Sequence, residues 1–127
     1  DTANTETWNG TNWTEVNNLN QARSATIGAA GTNTSALGFG GYTPPSPGYK
    51  ALTELWNGTN WTEVNDLNDA RAYVGGAGDS NTAALCFAGD TPGNTANTES
   101  WNGTNWTEVN NLNQARNFVM QFEFLTY

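Results

Sequence analysis

Apolar and polar positions alternate over short stretches of this chain. Nowhere do apolar residues recur at the spacing of an amphipathic helix. Thr and aromatic residues at alternate positions, broken by Gly-rich runs and Asn-Gly pairs, predict short strands joined by tight turns. The cleanest alternation is at 117–125. Phe118, Met120, Phe122 and Phe124 fall on one face; Asn117, Val119, Gln121, Glu123 and Leu125 fall on the other. Left alone, such a strand is an exposed apolar edge, so it must pair or be covered.

The pattern repeats. WNGTNWTEV occurs at 8–16, 56–64 and 101–109, and each copy is followed by L-N-x-A-R at 19–23, 67–71 and 112–116. The periods are 48 and then 45 residues. Repeats of that length indicate four-stranded propeller blades or helical arrays, and Asn-Gly pairs with Gly-rich runs are poor helix material. Each period is predicted to hold four strands. Strand a is at 23–31 and 71–78, b at 34–41 and 82–89, c at 51–56 and 96–101, and d at 59–64 and 104–109. The chain opens with strands c and d alone (3–8, 11–16) and ends with a lone strand a (116–125). The expected units are therefore 1–19 (partial blade), 20–67 and 68–112 (complete blades), and 113–127 (inner strand of a further blade). The fold class is all-β: an incomplete ring of roughly 2.75 four-stranded antiparallel blades.

For the c–d hairpin, Asn57-Gly58 suggests a two-residue type I′ turn. That turn sets Trp56 opposite Thr59 and Glu54 opposite Trp61. A four-residue loop would oppose Glu54 and Glu63, and likewise Glu6/Glu15 and Glu99/Glu108, which like-charge repulsion disfavours. In the two-residue register both Trp of a repeat share one face, diagonally related. Trp8, Trp13, Trp56, Trp61, Trp101 and Trp106 are then expected to supply the packing between blades, each burying about 150–250 Å². Strand a is rich in small residues (24–30 and 72–78), which suits the crowded axis of a propeller.

These features resemble kelch repeats, which build β-propellers. In that pattern an Arg opens the inner strand, a Gly-Gly ends the second, and an aromatic and a Trp flank the c–d turn. The matching residues here are Arg23, Arg71 and Arg116, then Gly40-Gly41 (replaced by Ala88-Gly89 in the next repeat), and the three Trp pairs. The Trp pairs stand two residues closer than the usual kelch spacing. The WNGTNWTEVN-x-LN-x-AR units look like those of kelch-like repeat proteins of marine phages and their bacterial hosts. The resemblance implies a non-enzymatic binding module of a virion or cell-surface appendage, such as a tail fibre. Such a module would recognise host surface glycan or protein through propeller loops. A purely structural propeller within a virion or surface complex is the alternative, and a glycan-active propeller enzyme a third class. Since a ring needs at least four blades, the expected partners are other blades. These belong either to a longer chain or to further copies, with strands c and d of one copy completing the blade begun at Arg116 of another. A first residue of Asp1 rather than Met suggests a processed or partial chain.

Composition narrows the partners. Twelve acidic and four basic residues give a net charge of −8, which disfavours nucleic acid and anionic lipid. No apolar run is long enough for a membrane span, so no membrane insertion is expected. With one cysteine and no histidine, neither an internal disulfide nor a Cys/His metal site can form; no metal and no cofactor is expected. Six Trp, five Phe and four Tyr with only 13% charged residues set the chain apart from disordered sequences.

Candidate chemistry lies in a few places. Arg23, Arg71 and Arg116 are either channel-lining anion ligands or structural, each pairing with a blade carbonyl or a Glu of the WTEV segment; their repetition with the scaffold favours structure. Glu15, Glu63 and Glu108 repeat in the same way, whereas a catalytic carboxylate pair is a unique constellation; no catalytic residue is assigned. The b–c connections, 42–50 and 90–97, differ between repeats, and loops on a rigid scaffold are where binding usually resides. Tyr42, Tyr49, Lys50, Asp90 and Asn94 are therefore the candidate ligand-binding residues, the two Tyr as stacking platforms for sugar rings. Asp66, Asp69, Asp79 and Asp90 lack a Ca²⁺-loop spacing and suggest solvated acids. Cys86, in an apolar strand, is expected to be a small core residue.

Overall fold

The structure, a computed structural model, describes residues 1–24 and 28–117. The described part is all-β, without a helix. A hairpin of β1 (Thr5–Trp8) and β2 (Trp13–Val16) comes first. The first four-stranded sheet follows: β3 (Gly28–Gly31), β4 (Ala36–Phe39), β5 (Thr53–Trp56) and β6 (Trp61–Val64). The second holds β7 (Gly75–Ser80), β8 (Ala83–Phe87), β9 (Thr98–Trp101) and β10 (Trp106–Val109). Both are antiparallel meanders in chain order, and both are open. The strand expected at 116–125 lies almost wholly outside the described residues.

The hairpin register differs from the expected one. Trp56 faces Trp61 and Glu54 faces Glu63, and the same pairing holds at Trp8/Trp13 with Glu6/Glu15 and at Trp101/Trp106 with Glu99/Glu108. Local turn chemistry is one reason. The Asn57 carboxamide oxygen accepts from the backbone N–H of both Thr59 and Asn60, at 2.9 Å each, and so organises a four-residue loop. Only Gly58 takes a positive φ (95°), whereas a type I′ turn needs positive φ at both central residues. The same carboxamide bonds recur at Asn9 and Asn102. In the two four-stranded sheets a second reason adds to this: an Arg buried against Glu54, and another against Glu99, supplies the opposite charge. The two Trp of each hairpin consequently lie directly opposite rather than diagonal, with ring centroids 5.3–5.4 Å apart.

Small residues let the inner strands meet. β3 packs on β7. A Cβ on Gly76 would lie 2.7 Å from the Ala29 carbonyl oxygen and 2.8 Å from the Phe39 ring, so only glycine permits this approach. The core is built between the two sheets from Leu37, Phe39, Val74, Cys86, Trp101 and Trp106. Phe39 of the first sheet meets Trp106 of the second edge to face, at 4.9 Å. Burying a Trp ring of about 150–250 Å² contributes about 4–6 kcal/mol as an upper figure.

Candidate functional site

Period-two alternation puts Glu and Trp on one face of each hairpin and Thr on the other. Glu54 therefore points from the first sheet toward the preceding β1–β2 hairpin, where it meets the loop after β2. The Arg23 Nη2 donates to Glu54 Oε1 at 2.9 Å, and its Nη1 donates to the carbonyls of Gly40 and Leu52, both at 2.9 Å. Asn20 adds its backbone N–H and its Nδ2, at 2.7 and 2.8 Å, both to Glu54 Oε2. The second junction repeats the arrangement. Arg71 Nη2 donates to Glu99 Oε1 at 2.7 Å, Nη1 to Asn97 and Ala88 carbonyls, and Asn68 gives two N–H groups to Glu99 Oε2. Of the two partners expected from sequence, a blade carbonyl or the WTEV acid, these Arg take carbonyls, and the acid they pair with is that of the c strand; Glu63 and Glu108 are exposed. Burial lowers the Arg23 guanidinium below its ordinary pKa, and the Glu54 carboxylate opposes that shift.

Each junction is completed by a tryptophan. Trp61 Nε1 donates to the Thr5 hydroxyl of the preceding hairpin at 3.1 Å, and Trp106 Nε1 to the Thr53 hydroxyl at 3.0 Å. Asn17 reaches Thr59 O and Asn60 Oδ1, and Asn65 reaches Thr104 O and Asn105 Oδ1. With Arg23 only 4% exposed and Arg71 0%, neither guanidinium is open to a ligand. Arg116 is exposed, its Nε donating to the Gln114 carbonyl at 3.4 Å.

The connections that vary between repeats form a separate cluster. Backbone bridges tie Tyr42 to Tyr49 and Asp90 to Asn94. The Tyr42 and Tyr49 rings meet edge to face at 5.6 Å, and both are half-buried. The Tyr49 hydroxyl donates to Asp90 Oδ2 at 2.6 Å, which joins the two connections. The other Asp90 oxygen accepts the Gly93 N–H. The hydrogen bond that the Tyr49 hydroxyl donates to Asp90 is the main reason its pKa is pushed up to about 12. Asn94 is exposed next to this pair. Lys50 is held by its backbone, donating its N–H to Gly41 and accepting from Arg71. Tyr42, Tyr49 and Asp90 thus come together, with Lys50 and Asn94 at the margin.

The other acids are spread out. Asp66 accepts from the Thr53 N–H, and Asp69 from Asn97 Nδ2. Among the described residues no three acidic or thiol groups gather as a metal site. Cys86 is fully buried, and burial pushes its thiol up to about 12. The sequence pattern did not point to a cleft of about 410 Å³ between the opening hairpin and the first four-stranded sheet, bordered by Trp8, Trp13, Trp56 and Trp61. Among the described residues β1 pairs with β2 alone, so no other strand of its sheet borders the cleft.

A comparison with protein-family models finds none that matches the chain, and a comparison with curated proteins finds no relative.

Proposed function

We propose that this chain is a propeller-type, non-enzymatic binding module that recognises a surface glycan or protein through the Tyr42–Tyr49–Asp90 cluster. The observation that carries this reading is a division of labour. The repeated residues at the two junctions (Trp61 and Trp106, Arg23 and Arg71, Glu54 and Glu99) are consumed in joining sheets, whereas the connections that vary place two half-buried Tyr rings together at the surface. Aromatic rings held by a scaffold bind at low entropic cost. The kelch-like resemblance adds the setting: a virion or cell-surface appendage such as a tail fibre. The four-stranded sheets, with small residues where inner strands meet, support the propeller reading. Catalysis is not assigned, because the WTEV acids stand one per hairpin and exposed.

A glycan array tests the proposal with the parent chain and with Tyr42→Ala and Tyr49→Ala. Binding that falls in both variants supports it. No binding, or binding unchanged in both, counts against it. In that case the second reading takes over, a purely structural assembly module. Its support is the exposure of Trp8 (44%) and Trp13 (64%), where Trp56, Trp101 and Trp106 are buried and Trp61 is half-buried.

A further inference from the structure

The three Asn-Gly turns bring together the parts that a carboxamide needs to react with its own main chain. In each turn the reacting atoms are the Asn Cγ and the backbone nitrogen of the Gly that follows: Asn9 and Gly10, Asn57 and Gly58, Asn102 and Gly103. Attack of that nitrogen on that carbon closes a succinimide ring.

Three features favour the attack. The first is the carboxamide oxygen. Asn57 Oδ1 accepts the backbone N–H of Thr59 and of Asn60, Asn9 Oδ1 those of Thr11 and Asn12, and Asn102 Oδ1 those of Thr104 and Asn105, all at 2.9 Å. Negative charge develops on this oxygen as the carbon becomes tetrahedral, and two fixed N–H donors at that distance stabilise it as an oxyanion hole does. The second is the nucleophile. Among the described residues the N–H groups of Gly10, Gly58 and Gly103 have no hydrogen-bond partner, and glycine has no side chain to shield its nitrogen. The third is the leaving group. The Nδ2 atoms of Asn9, Asn57 and Asn102 also have no partner among the described residues, and all three Asn are exposed, so the nitrogen can depart into water. Asn60 and Asn105 in the same turns are built differently. Each is followed by a Trp, and its Oδ1 takes a single donor, the Nδ2 of Asn17 or of Asn65.

We propose that Asn9, Asn57 and Asn102 are sites of spontaneous deamidation, and that the native turn promotes the step. Gly58 N bonds to Asn57 Cγ and gives its proton to water. The Cγ–Nδ2 bond breaks, and the nitrogen takes up a proton and leaves as ammonia. Water then opens the ring at either carbonyl. Opening at Cγ leaves aspartate; opening at the main-chain carbonyl leaves isoaspartate, with the chain running through the former side chain. Overall one water is consumed and one ammonia released, and nothing is oxidised or reduced. The two products differ in what they do to the fold. Aspartate keeps an oxygen for the N–H groups of Thr59 and Asn60, and suits the turn as Asn does. Isoaspartate inserts a methylene into the main chain of the loop. It loosens the Trp56–Trp61 pairing that aims Trp61 at Thr5. Either product adds one negative charge per turn to a chain already at −8.

The test follows the full chain in warm neutral buffer, once native and once unfolded in urea at the same temperature. Peptide mapping by tandem mass spectrometry, which separates aspartate from isoaspartate, gives a rate at each Asn. At Asn9, Asn57 and Asn102 the native chain is expected to react about tenfold faster than the unfolded one. Asn60 and Asn105 of the native chain should stay unchanged over the same period. Thr59→Pro removes one of the two donors to Asn57 Oδ1 and should slow Asn57 alone, with Asn9 and Asn102 as internal standards. Circular dichroism checks that this variant folds; if it does not, the comparison of native and unfolded parent decides by itself. Native rates equal to or below the unfolded ones overturn the proposal. So does a rise at one turn without the others, since all three share the geometry, or a folded Thr59→Pro chain in which Asn57 reacts as fast as in the parent.

Discussion

Replacing Arg71 by Met tests the physical account of the sheet junction most directly. The Arg71 side chain is 0% exposed, and that of Glu99 1%. The substitution removes the 2.7 Å ion pair and the two bonds to the Asn97 and Ala88 carbonyls. Glu99 keeps two N–H donors from Asn68 but loses its counter-charge. Breaking one side of a buried pair costs about 3–5 kcal/mol, because the remaining charge stays out of water. Against a total stability of about 5–15 kcal/mol, that is a large share. Removing the charge as well, in Arg71→Met with Glu99→Gln, keeps an acceptor for Asn68 and should recover about 1–3 kcal/mol of the loss. Urea denaturation at one protein concentration, followed by Trp fluorescence and circular dichroism, measures both. The reasoning fails if the single variant loses under about 1 kcal/mol, or if the double variant is no more stable than the single.

Gly76→Ala should cost about 1–3 kcal/mol by forcing β7 away from Ala29 and the Phe39 ring; a melting temperature equal to the parent's would refute the close approach. Tyr49 provides a pH signature. Its folded pKa is raised, to about 12 from an ordinary value near 10, so its hydrogen bond to Asp90 stabilises the fold fully below pH about 10. That stabilisation is lost as pH climbs toward about 12. Tyr49→Phe should flatten the fall of melting temperature over that window, and identical slopes in parent and variant would sink the assignment.

The repeat unit made much of this architecture legible. Strand positions follow from the alternation around WNGTNWTEV, and the small inner strands follow from runs such as Gly75-Gly76-Ala77-Gly78. Register was not legible. The Asn-Gly pair has two uses: a two-residue turn, and a longer loop braced by the Asn carboxamide. A local rule about like charges then chose wrongly, because Arg23 meets Glu54 from 31 positions earlier in the chain. A signal did exist in the acid kept in strand c of each repeat (Glu6, Glu54, Glu99), always with an Arg downstream. The Tyr49–Asp90 link lay beyond reach for a related reason. It joins two connections of different sequence, and no pattern within either foretells which side chain of the other it will meet.

The asymmetry of the junction has a consequence for how such chains change over time. Each unit presents the acid, the turn and the tryptophan on one side and the arginine and asparagines on the other. Any unit can therefore follow any other. Duplication or deletion of a whole period leaves every junction chemically intact, so array length can drift by recombination without repair of the scaffold. Apart from Thr43, Tyr49, Asp90 and Asn97, whose side chains reach other units or each other, side chains in the 42–50 and 90–97 connections can diversify while the frame stays constant.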